Sequence, residues 1–180
     1  MAVSERVDAR RNHARLVAAA RTLLARDGLD VSVREIAREA GVGVGTVYRH
    51  FPTRDALIDA ILEDAVQEVV AAGERALESD DPWAGFVGFV EETLELKAAN
   101  RVLTDVVETP RGRERYASLR ARTRPITAEL IRRAQDAGAL RADFTPEDLS
   151  LLFWSTDRVI DLAPDGWRRL LGFVLDGLRA

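Results

Sequence analysis

Thr46, Tyr48 and His50, with Arg54 one turn further on, place a hydroxyl, a phenol, an imidazole and a guanidinium within nine residues. Such groups donate hydrogen bonds to phosphate oxygens, and threonine also offers a methyl to thymine. Val44 and Gly45 precede them, small enough for a backbone to approach base edges closely. This is recognition chemistry rather than catalysis. The 180-residue chain has no Cys, so it has neither disulfides nor a Cys-based metal site. Its two histidines, His13 and His50, both lie near the N-terminus, and the rest of the chain shows no Ser/His/Asp set, no phosphate-loop glycines and no paired Glu-x-x-His motif. No cofactor and no metal are expected.

The elements that must position these groups are legible in SVREIAREAGVGVGTVYRHFPTRDAL, residues Ser32 to Leu57. Ser32 followed three residues later by Glu35 is a capping box that opens a short helix. Gly41 closes it, and Ala37, four residues earlier, keeps the crossing of two helices close. Val42 plugs the turn, and Val47 is the inward residue of the next helix, which leaves Val44, Gly45, Thr46, Tyr48, Arg49 and His50 outward. That helix is too short to be stable alone. The pattern is a helix-turn-helix, which seats one helix in the DNA major groove. Pro52 and Thr53 then break the chain and cap a long fourth helix from about Arg54 to Glu78. Arg54 and the free N–H groups of that first turn make an anion site. Upstream, a helix from about Arg10 to Asp27 buries Leu16, Ala19, Ala20, Leu23 and Leu24 and ends at Gly28. Its arginines serve either solubility or phosphate contact, the latter best suited to Arg10 and Arg11.

Charge supports a local DNA footprint. The net charge is −4, but residues 1–55 hold 10 Arg against 7 acids, so +3, and the remainder is −7. Phosphate neutralisation is local, so a basic head on an acidic body suits DNA binding. Within the body, residues 59–95 carry 11 acids and one base, and residues 111–133 carry 8 Arg and 2 Glu. Two helices of opposite sign packed together account for this better than a second DNA surface.

Apolar segments of helical period, punctuated by Pro and Gly, predict an all-α chain of about nine helices. The expected division is a DNA-binding domain over 1–53 and a helical bundle over 54–180. No apolar run approaches the ~20 residues of a membrane span, and the polar N-terminus lacks the apolar stretch of a secretory signal, so no membrane partner and a cytoplasmic location are expected. A short helix is expected over Val102–Val107, and Pro125 falls inside a long helix closed by Gly138. Thr145-Pro146-Glu147-Asp148 opens the penultimate helix, which buries Leu149, Leu152, Phe153, Thr156 and Ile160. In the last helix Trp167, Leu170, Leu171, Val174, Leu175 and Leu178 form one apolar stripe. With Leu152 they are the expected interface of a homodimer, a four-helix contact built by two helices from each chain. The other reading is burial within one chain.

Residues 10–57 resemble the DNA-binding domain of TetR-family transcriptional regulators. Ile36-Ala37, Ala40-Gly41-Val42, Gly45-Thr46, Tyr48, His50-Phe51 and Leu57 carry the resemblance. ELIRRAQDAGALRADFTPEDL resembles, more weakly, the late helices of many members. The resemblance implies a homodimer that binds a palindromic operator in double-stranded DNA, usually as a repressor. It implies DNA contacts from Ser32, Arg34, Thr46, Tyr48, His50 and Arg54, mostly to phosphates, with Val44 and Gly45 where members vary and read bases. Gly43-Val44-Gly45 is poor in hydrogen-bonding groups, so base readout rests on Thr46, Arg34 or DNA shape. The resemblance also implies a small-molecule effector pocket in the body that moves the fourth helix. Its candidate lining is Trp83, Phe86, Phe89, Leu103, Tyr116, Phe153, Trp154 and Asp157, each of which also reads as plain core. Asp157, Arg158 and Asp161 are either an interface ion-pair set or a polar hook for a ligand. Two alternatives stand beside the ligand-released repressor: a constitutive or protein-regulated DNA-binding dimer, and a helical-bundle carrier or enzyme.

Overall fold

The computed structural model describes residues 2–28, 31–99 and 110–180; the side chains of residues 2–7, 9, 10, 110–116, 118–120 and 161 lie outside the description. Eight helices are the regular elements among these residues: α1 (Ala2–Asp27), α2 (Val33–Glu39), α3 (Val44–His50), α4 (Arg54–Leu77), α5 (Pro82–Ala99), α6 (Pro110–Asp136), α7 (Pro146–Leu162) and α8 (Trp167–Leu178). The helix expected over Val102–Val107 lies outside the described residues. α1 begins eight residues earlier than its apolar stripe suggests. Ala, Glu and Arg favour helix, and nothing in the first turns breaks it.

Local chemistry fixes the ends. Gly28, Gly41 and Gly138 all take positive φ, at 77°, 63° and 67°, the left-handed conformation that glycine adopts at no steric cost. The Ser32–Glu35 capping box forms, and Thr145 makes a second with Asp148 ahead of Pro146 at the helix start. Thr53 caps α4 by accepting from the Ala56 N–H.

Two hydrophobic cores result. The first gathers Leu16, Ala20, Leu23, Ile36, Ala37, Val47 and Phe51 with Leu57, Ile61 and Leu62 of α4. The second gathers Ala72 of α4 with Phe86, Phe89, Leu94, Leu130, Leu149, Trp167 and Leu171. One uninterrupted helix, α4, therefore belongs to both. In the second core α4 packs on α5 and α6. α6 comes close to α4 at Gly73, where an added Cβ would lie 2.3 Å from Ile126 Cγ2. The opposite charges of α4 and α6 meet as an Arg122–Glu63 ion pair. The chain end closes the body: Arg141 N donates to Leu178 O and Ala180 N to Ala139 O.

The C-terminal stripe divides differently from its expected use. Leu152, Trp167, Leu171 and Leu175 are buried in the chain's own second core, with Trp167 only 2% exposed, and Val174 and Leu178 are half-buried against it. The buried four face the chain's own core rather than solvent. The outward apolar residues are Leu170 and Phe173 on α8 and Leu151, Trp154 and Leu162 on α7. The stripe reads as one surface because α8 carries apolar residues on two sides: Trp167, Leu171 and Leu175 join the second core, whereas Leu170 and Phe173 face outward.

Candidate nucleic-acid interface and body interior

The DNA-reading unit is held by reciprocal hydrogen bonds. Ser32 Oγ accepts from Glu35 N (3.3 Å) and donates to Glu35 Oε2 (2.7 Å), which also accepts from Ser32 N (2.9 Å). These donations hold the Glu35 carboxyl below the usual carboxylate range. Arg15 of α1 donates to Ala40 O at the end of α2, at 2.5 Å, a cation at the negative end of a helix dipole. The same guanidinium lies 2.9 Å from where a Cβ on Gly41 would stand. The close crossing read from Ala37 and Gly41 thus includes α1. Helical periodicity places Arg15 off the apolar stripe of α1 and carries no signal of this contact.

On α3, Val47 is buried and anchors the helix. Val44, Gly45 and Tyr48 are exposed, Thr46 and His50 half-buried, and Ser32, Arg34 and Arg54 exposed. No acidic side chain stands on α3, whose last turn carries Arg49 and His50. His50 leans on Phe51, with centroids 6.2 Å apart, and on His13 of α1 at 6.1 Å; His13 itself packs on Phe51 at 4.9 Å. Burial, then the charges of His13 and Arg49, push the His50 imidazole below its ordinary pKa. The leading edge is open: a Cβ on Gly43 or Gly45 would meet nothing.

The head is tied to α4 by Arg21 of α1, whose guanidinium reaches Asp64 at 2.9 Å and Glu68 at 2.7 and 2.9 Å. The Glu68 bond is the main cause that raises the Arg21 pKa further. One turn away on α4, Glu63 takes Arg122 of α6. Pairs this distant in sequence leave no local signal.

Among the described residues, the expected pocket residues fall into a Trp83–Phe86 contact at 5.8 Å, a Phe89–Phe153–Asp157 group and an outward Trp154. Phe86 is fully buried and makes an edge contact with Phe144 at 5.9 Å. Trp83 lies half-buried beneath Arg179, 4.3 Å from guanidinium carbon to ring centre. Trp154 is 59% exposed on the outer side of α7. Leu103 and the side chain of Tyr116 lie outside the described residues. Phe89, Phe153 and Asp157 do converge: the two rings meet edge to face at 6.3 Å, and Asp157 pairs at 2.5 Å with Lys97, a residue not anticipated as part of this region. The described residues include no cluster of His, Cys, Asp and Glu able to hold a metal, and no described helix is long and apolar enough to cross a membrane.

A helix-turn-helix head that shares the helix α4 with an all-helical body defines a DNA-binding transcriptional regulator. Residues 16–61 match the model of bacterial regulatory proteins of the tetR family, and residues 81–180 match the SbtR-like transcriptional regulator C-terminal domain. The chain belongs to the TetR family of regulators, which are not enzymes. A TetR regulatory protein of Mycobacterium vanbaalenii is 34% identical with a TM-score of 0.78, over 97% of this chain and 99% of that one. The regulator SCO0520 of Streptomyces coelicolor is 30% identical with a TM-score of 0.72, over 93% and 98%. The HTH-type regulator SAR0097 of Staphylococcus aureus (strain MRSA252) is 32% identical over 91 residues, 47% of this chain and 48% of that protein. The match thus spans about half the length of that curated relative.

Proposed function

We propose that this regulator acts as a homodimeric repressor of a palindromic operator and is released by a small-molecule effector held in the helical body. The observation that carries this is α4: Leu57, Ile61 and Leu62 are part of the head core, and Ala72 is part of the body core. A rearrangement around the body half of α4 must displace the head. Arg21–Glu68 and Arg122–Glu63 hold α4 to both sides, which supports transmission rather than free swivelling. An effector shifts the equilibrium only if it binds the DNA-incompetent arrangement more tightly.

The dimer is proposed on the outward faces of α7 and α8. Leu162 is 86% exposed, Leu151 66%, Phe173 62% and Trp154 59%, and large exposed apolar side chains on two helices that pack on each other mark an interaction surface. A Cβ on Gly172 or Gly177 would meet nothing within the chain, so a partner helix can approach there. The proposed DNA contacts are Ser32, Arg34, Thr46, Tyr48, His50 and Arg54, with Val44 and Gly45 against base edges.

Selection of bound sequences from random DNA tests the reading. The expected result is an inverted repeat with half-sites one or more helical turns apart. A library of small molecules is then assayed for release from that operator. A single non-palindromic site sinks the dimer, and a screen in which nothing weakens operator binding sinks the effector.

A further inference from the structure

The α5–α7 contact carries polar groups an apolar core does not require. Phe89, Thr93 and Lys97 follow each other at four-residue spacing, so they form one stripe of α5. That stripe meets α7: Phe89 contacts the ring of Phe153, and Lys97 Nζ lies 5.9 Å from the same ring's centre and 2.5 Å from Asp157 Oδ2. Both members of the ion pair are largely covered, with side chains 23% and 18% exposed. Thr93 stands between Phe89 and Lys97, 3% exposed. Its Oγ1 is the one buried side-chain nitrogen or oxygen without a hydrogen-bond partner among the described residues. A mid-helix threonine normally donates to the carbonyl four residues back, as Thr156 does to Leu152 O at 2.8 Å. Thr93 does not, and an unmade buried hydrogen bond is costly.

An ammonium set against a carboxylate and an aromatic face, with a vacant hydroxyl one turn away, is the chemistry of an organic-cation site. Here the chain's own lysine fills it. We propose that Lys97 is an internal stand-in for an organic ammonium ligand with an apolar body. The ligand's cationic head takes the place of the Lys97 ammonium against Asp157 and Phe153, an N–H or O–H of the ligand bonds Thr93 Oγ1, and Lys97 swings out to water on its flexible stem. The sign of the ligand follows from Asp157, whose carboxylate already holds an ammonium at 2.5 Å. This inference rests on the effector reading above and names the chemical class of that effector.

The test uses the full chain and three matched probes: phenethylammonium, phenylacetate and the neutral phenethyl alcohol. Binding is measured by calorimetry and by the shift in melting temperature. Phenethylammonium is expected to bind the wild type in preference to both other probes. Lys97→Met removes the stand-in and leaves Asp157 unpaired, so it should bind the amine at least tenfold more tightly and gain more melting temperature from it. Thr93→Val should weaken the amine severalfold, and Asp157→Asn should abolish it. If Asp157→Asn does not fold, Lys97→Met and Thr93→Val decide the matter. Equal or tighter binding of phenylacetate, no tightening in Lys97→Met, or no amine binding to any variant overturns the proposal. Operator release by an anionic compound with no amine binding overturns this inference and leaves the effector reading standing. Amine binding that follows the variant pattern without operator release supports the site and removes the effector reading.

Discussion

At the scale of single residues, the proposed DNA contacts separate binding from folding. Tyr48 is 53% exposed and Thr46 half-buried, whereas Val47 between them is 1% exposed and anchors α3. Removing Tyr48 or Thr46 side-chain oxygens should therefore leave melting nearly unchanged. Tyr48→Ala and Thr46→Ala are each expected to weaken operator binding by roughly 1–3 kcal/mol, the range of a hydrogen bond to a charged group. The Tyr48 loss should be similar on matched and mismatched operators, since a phosphate contact carries no sequence information, and mobility-shift titrations on both DNAs would show it. His50 adds a pH dependence whose two parts oppose each other. Burial and the neighbouring His13 and Arg49 hold its folded pKa below the ordinary value. Its contribution to stability is thus fully present above an unfolded pKa of about 6.5 and is lost as pH falls through the folded pKa. A nearby phosphate favours the protonated ring, so operator binding should take up a proton. Between pH 7.5 and 6, affinity at fixed salt is expected to rise while the melting temperature falls. His50→Gln should flatten the affinity trend; an unchanged slope in that variant would show that another group titrates.

At the scale of elements, the head was legible in the sequence because its rules are local. A capping box needs residues three apart, and a left-handed glycine needs only its own φ; Ser32–Glu35, Gly28 and Gly41 all behave accordingly. What was not legible lies between elements. Arg21 finds Glu68 across 47 positions and Lys97 finds Asp157 across 60, and helical period says which face is apolar but not what covers it. The same limit hid a close helix crossing. Gly73 reads as an ordinary small residue in α4, yet α6 passes so near that an added methyl would overlap Ile126 Cγ2, with Phe89 Cε2 at 3.4 Å behind it. Gly73→Ala should gain about 1 kcal/mol from helix propensity but lose about 1–3 kcal/mol through overpacking, a net destabilisation. Ile126→Ala alone leaves a cavity and also destabilises. Combined, the two should be less harmful than their sum, because the new methyl occupies part of the vacated space. Urea titration of the two single variants and the double variant measures that coupling, and strict additivity would mean the helices part rather than clash.

At the scale of the whole molecule, the position of the outward apolar face decides what a dimer can do. α7 and α8 each bury one side in the body and leave the other bare, so Leu171 at 3% exposure and Phe173 at 62% stand two residues apart with opposite duties. Leu171→Asp puts a charge into the chain's own core and should unfold the body, whatever the oligomeric state. Phe173→Asp leaves that core intact, and Arg169, whose guanidinium carbon lies 5.6 Å from the Phe173 ring centre, is placed to neutralise the new carboxylate in the free chain. In a two-fold contact the same substitution is felt from both sides, since a self-complementary patch meets its own copy. Burying two such charges should cost at least about 3 kcal/mol of association. Sedimentation is therefore expected to show a folded, largely monomeric Phe173→Asp variant and an unfolded Leu171→Asp variant. The monomer should keep weak, salt-sensitive affinity for a half-site and lose most of its preference for the palindrome, because specificity from one short recognition helix is small and the second half-site no longer comes tethered to the first. If Phe173→Asp remains a dimer with unaltered operator affinity, the exposed face of α7 and α8 serves another partner, and the two heads must be paired through a different surface.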